Sequence, residues 1–101
     1  MHPLFAADAI TIKHAGVDKA NGVYIRQGEY NKHPLYVKDN CQIRYKGCRS
    51  KWVIMVDDTA LYKNFNDSEI CPLIDWQITC ASSDSLRLPV LSAEKQDLKN
   101  R

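Results

Sequence analysis

Four cysteines and three histidines are the side chains in this sequence best suited to metal ligation or nucleophilic chemistry. Cys41, Cys48, Cys71 and Cys80 are separated by six, twenty-two and eight residues, so no C-x-x-C pair offers the usual zinc spacing. His2, His14 and His33 are scattered and complete no ligand set, so no metal and no cofactor is expected. The four thiols allow three disulfide connectivities. Met1–Ile10 lacks the basic start and apolar run of a secretion signal, so reduced thiols and a cytoplasmic location are the expectation. Asp57 and Asp58 are the closest carboxylate pair, but neighbours on an extended chain point to opposite faces and cannot flank one bond. They read as a strand terminator. With no G-x-S-x-G, H-E-x-x-H or phosphate-cradling glycine loop, the chain is read as a non-enzyme.

Charge offers a second kind of chemistry. The 101 residues carry a formal net charge of +2, too little by itself to point to nucleic acid or a membrane. The distribution is uneven. Residues 1–51 hold nine Lys/Arg against four Asp/Glu, giving +5, while residues 52–101 hold five against eight, giving −3. Arg44, Lys46, Arg49 and Lys51 form the densest patch, with no acid between Asp39 and Asp57. Such a patch is either a solvated hairpin end or a contact for an acidic protein or phosphate. Tyr24, Tyr30, Tyr36 and Tyr62 fall at polar or turn positions, which suits a contact surface. Arg44, Lys46, Arg49, Lys51 and Tyr36 are therefore the expected binding residues, and a protein partner with an acidic surface is the expected ligand. A carbohydrate-binding module using exposed aromatics is the alternative. Basic residues interleaved with tyrosine also fit single-stranded nucleic acid, a partner the small net charge disfavours.

The elements that must position these residues alternate with a period of two. Ile10/Ile12, Val23/Ile25, Leu35/Val37, Cys41/Ile43/Tyr45, Trp52/Ile54/Val56, Leu61/Lys63/Phe65, Ile74/Trp76/Ile78/Cys80 and Leu86/Leu88/Val90 read as the inward faces of about eight short strands. Turn-forming clusters separate them, Asn21-Gly22 carrying the strongest two-residue signal. The expected fold is all-β: a single small antiparallel sandwich or barrel over residues 1–91. Residues 3–9 read as a turn of helix, and residues 92–101 as a charged tail without an apolar face. No apolar run approaches the ~20 residues that span a bilayer. One hairpin can be set in register. Pairing residues 41–45 with 52–56 puts Tyr45 opposite Trp52, Ile43 opposite Ile54 and Cys41 opposite Val56. A weak echo, Tyr24 then Pro34-Leu35 and Tyr62 then Pro72-Leu73, hints at duplication.

Asn21-Gly22-Val23-Tyr24, the run 31–38 (NKHPLYVK), Ile43-Arg44-Tyr45, Trp52-Val53-Ile54, Tyr62, Pro72 and Trp76 together resemble a small all-β module. That module recurs, singly or in tandem, in multidomain proteins of protists and some invertebrates. The resemblance covers about residues 14–90 and departs in the four cysteines and in lacking a glycine after the second Trp strand. It implies a binding or scaffolding module with no catalytic residue to carry over, and it identifies no ligand.

Overall fold

A run of β-branched and aromatic residues broken every few positions by Asn, Asp and Gly folds as a meander, because each break can turn the chain back on itself. The computed structural model describes residues 7–47, 51–66, 68–79 and 88–94. Eight strands form one antiparallel sheet: β1 (Ala9–Lys13), β2 (Gly22–Tyr30), β3 (His33–Lys38), β4 (Cys41–Lys46), β5 (Lys51–Val56), β6 (Thr59–Asn64), β7 (Gln77–Ile78) and β8 (Val90–Glu94). Their order is β7-β6-β5-β4-β3-β2-β1-β8. Of the sandwich or barrel expected, the protein takes the barrel-like form: one antiparallel sheet curled into a half-barrel.

The β4–β5 hairpin has the register expected from sequence: Tyr45 opposite Trp52, Ile43 opposite Ile54, Cys41 opposite Val56. Asn21-Gly22, by contrast, closes no hairpin. The Asn21 amide holds both backbone groups of Ala15, accepting from its N–H at 2.9 Å and donating to its C=O at 3.2 Å, which clamps the β1–β2 connection. The tight reversals fall at Asn31-Lys32, Asp39-Asn40 and Asp57-Asp58, where Asn31, Lys32, Asp39, Asp57 and Asp58 all have positive φ. Primed hairpin turns require that conformation, and Asn and Asp tolerate it best after Gly. Gly28, at φ 67, sits where the β2–β3 register shifts, as a bulge glycine does.

The inner face of the sheet is the core. Ile10, Ile12, Cys41, Ile43, Ile54 and Val56 are buried there as expected, and Trp52 with them. Three stretches run in the opposite phase. Tyr24 and Tyr62 are fully buried and Tyr36 is 1% exposed, whereas Val23 and Ile25 are each 49% exposed. Both phases of β2 are apolar, and the larger ring wins the inside when its hydroxyl finds a partner. Each does. Tyr24 donates to Ala20 O (2.7 Å), Tyr36 donates to Ala7 O (2.8 Å), and Tyr62 accepts from Val17 N–H (3.4 Å). In β6, Tyr62 and Asn64 point inward in place of Lys63 and Phe65. A register shift opposite Ile54/Met55 lets Leu61 be buried too.

The expected strand 74–80 shrinks to Gln77–Ile78, with Ile74 exposed. The segment before it is a strap across the inner face, since Ser68–Ile74 shares a groove with Ile10 of β1, Tyr36 of β3 and Ala93 of β8. Side chains that cannot be satisfied by a sheet ladder hold it down. The Trp52 indole donates to Ser68 O (3.2 Å), the Trp76 indole to Pro72 O (3.0 Å), and the buried Asn64 amide to Ile74 O (2.6 Å). The echo in sequence has no counterpart here, because Pro34 lies in β3 and Pro72 in the strap. The last strand starts at Val90, four residues later than expected, and runs to Glu94 into the stretch read as tail. Leu91 is its buried residue, while Leu88 and Val90 are exposed. Ala9, read as part of a helical turn, opens β1. Among the described residues no helix is long and apolar enough to cross a membrane.

Candidate binding face

Alternation places Arg44 and Lys46 of β4 on the outer face, because Ile43 and Tyr45 between and beside them are buried within. Lys51 of β5 is the cross-strand partner of Lys46, and Lys63 of β6 is the partner of Val53, which in turn faces Arg44. Four cations therefore occupy adjoining positions on three neighbouring strands. Val53 lies on the outer face between Arg44 and Lys63 yet is only 1% exposed. Lys46 lies directly opposite Lys51 in the β4–β5 ladder.

Two exposed rings belong to this cluster. The Arg44 guanidinium lies 4.7 Å from the Tyr30 ring centre, and Lys51 and Lys63 lie 5.4 and 5.2 Å from that of Phe65. Arg44 also donates to Gln42 Oε1 at 3.0 Å. Among the described residues Arg44, Lys46 and Lys63 make no ion pair. Behind the patch, His33 stacks on Tyr45 with ring centres 3.8 Å apart and meets Trp52 edge-on, which stiffens the strand ends that carry the cations.

Of the residues singled out from sequence, Arg44, Lys46 and Lys51 converge on this face. Arg49 lies outside the described residues. Tyr36 does not belong to the face: it points inward, opposite Ile43, and burial pushes its phenol up to about 12. The same cause raises Tyr24. Of the four tyrosines expected at the surface, only Tyr30 is exposed, and Tyr24, Tyr36 and Tyr62 are core. Sequence reasoning missed Lys63 and Phe65 because β6 was read in the opposite phase.

The other end of the same strands carries acid. Asp39, Asp57 and Asp58 line a polar cleft of about 410 Å³ with Asn40, Gln42, Met55 and Arg44, so Arg44 borders both the basic face and this cleft. Two of the three are partly neutralised: Lys19 donates to Asp57 at 2.6 Å, which raises the lysine pKa, and Lys38 approaches Asp39 at 3.9 Å. Among the described residues no group of three or more His, Cys, Asp or Glu side chains gathers as a metal site would require. Cys41 and Cys71 are free and buried, and burial drives the Cys71 thiol above its ordinary range; Cys48 and Cys80 lie outside the described residues. Comparison with protein-family models, with curated proteins and with solved structures finds no match.

Proposed function

We propose that this protein is a non-enzymatic binding module that recognises an acidic segment of a protein partner through its outer basic face. The observation that supports this most directly is the gathering of Arg44, Lys46, Lys51 and Lys63 on adjoining strands, with Lys46 and Lys51 directly opposed. Cations gathered on adjoining strands complement the carboxylates of an acidic segment. Tyr30 and Phe65, both exposed, add apolar area beside the cations, and rigid rings flanked by basic groups are good anchors for a peptide. The alternative of a glycan platform loses its main support, since three of the four tyrosines it needs are buried.

The test is titration of the protein into a labelled poly-glutamate peptide, with a labelled oligothymidylate in parallel. The reading expects peptide binding that weakens as salt is added and falls about tenfold in the Lys46→Glu/Lys51→Glu double variant. Binding of the oligonucleotide without the peptide, or peptide binding indifferent to both substitutions, overturns it.

A further inference from the structure

The strap and the sheet beneath it enclose a groove that plays no part in the outer face. It has a volume of about 490 Å³, within the range of small-molecule sites. Ile10, Tyr36 and Ala93 form the sheet wall, and Ile70, Cys71 and Ile74 belong to the strap wall. Neither wall is loose. The strap is fixed along its length by the hydrogen bonds from Trp52, Trp76 and Asn64 to the carbonyls of Ser68, Pro72 and Ile74. Among the described residues, none that lines the groove is Asp, Glu, Lys, Arg or His. Its polar atoms are already engaged: the Tyr36 hydroxyl donates to Ala7 O, the Cys71 thiol to Pro72 O (3.4 Å), and Ser68 Oγ accepts from Ile70 N–H (3.3 Å). Water in such a groove finds few partners, so its displacement by apolar matter is favourable. At the rim Ile74 is 72% and Leu73 38% exposed, apolar surface that a bound molecule would cover.

We propose that this groove binds an uncharged, elongated apolar small molecule, such as an alkyl chain bearing a neutral head. The described residues of the lining offer no counter-ion to a carboxylate, phosphate or ammonium group, which favours an uncharged ligand. A chain fits better than a compact solute because the groove follows the strap from Ser68 to Ile74.

The experiment uses the full chain with the neutral fluorophore N-phenylnaphthylamine and unlabelled dodecanol as competitor. The fluorophore should brighten on binding, and dodecanol should displace it and raise the melting temperature. Ala93→Trp fills the groove from an exposed edge-strand position, and should weaken dodecanol binding about tenfold or more while circular dichroism stays unchanged. Ile74→Asp, at a side chain already in solvent, should weaken it in the same direction. Lys46→Glu/Lys51→Glu, on the outer face, should leave it intact. Absence of displacement by dodecanol, or displacement equal in wild type and Ala93→Trp, overturns the assignment. Binding to neutral phosphatidylcholine vesicles without binding of free dodecanol overturns it as well, in favour of a membrane surface.

Discussion

The buried tyrosines do two things at once: each ring fills the core, and each hydroxyl reaches a backbone group of a connection that has no ladder to join. Removing one hydroxyl separates these roles. Tyr36→Phe keeps the ring and leaves Ala7 O without its donor, so urea denaturation should show a loss of about 0.5–1.5 kcal/mol. Titration gives a second test. Tyr24, Tyr36 and Cys71 all have folded pKa values above their ordinary values of 10.0, 10.0 and 9.0, because burial disfavours the charged form. Above those ordinary values the unfolded chain loses protons that the folded chain keeps, so the unfolded state gains. Stability should be level up to about pH 8 and then fall as pH rises through the ordinary values toward the folded ones. Tyr36→Phe should make that alkaline fall shallower. A urea midpoint that stays constant from neutrality to pH 11 contradicts the burial assigned to these groups.

Hairpins decide where the charged ends of the strands lie. At Asp57-Asp58 both residues have positive φ, 55° and 74°, which an L-residue other than Asn or Asp reaches only at a cost. Asp58→Gly should stabilise the protein by about 0.5–1 kcal/mol, and Asp58→Val should destabilise it by about 1–2 kcal/mol, both read from denaturant midpoints. A comparable test exists at the opposite end of β4 and β5. Lys46→Glu replaces an exposed cation of the patch by an acid, so binding of the poly-glutamate peptide should fall while the denaturant midpoint changes by no more than about 0.5 kcal/mol. Loss of binding without loss of stability marks a binding face. Loss of both would mean that Lys46 is structural. Gly22 has a different constraint, its φ of 132, which strains any L side chain; the Lys38 side-chain end that a Cβ would meet is flexible.

Across the whole molecule, the strand order puts β7 and β8 at opposite edges although they follow one another in sequence. Residues 79–89 join them, and Trp76 and Gln77 share a cleft with Leu88 and Pro89, so the sheet curls until its edges approach. Curling separates two surfaces with different chemistry: an inner one closed by the strap and an outer one left to solvent. Protection against hydrogen exchange should follow this architecture. Amides of β3, β4 and β5, paired on both sides, should exchange slowest, and those of the two-residue β7 fastest. Equal protection of β7 and β4 would contradict the central placement of the β4–β5 hairpin.

Alternation along the chain and the Asp and Asn breaks were enough to establish an all-β domain of about eight short strands and the register of β4 on β5, but not the order of the strands. The reason is local: period and turn chemistry are written within a few residues. The convergence of Arg44, Lys46 and Lys51 was legible for the same reason, since one hairpin contains them all. The phase of β2, β3 and β6 was not legible, because both faces of those segments carry apolar side chains. Val23 competes with Tyr24, and Phe65 with Tyr62. Only the tertiary structure settles such ties, by offering Tyr36 and Tyr62 a distant backbone partner (that of Tyr24, Ala20, is four residues away) and by laying the strap across one face. Those partners lie up to forty-five residues away in sequence, beyond the reach of any local pattern.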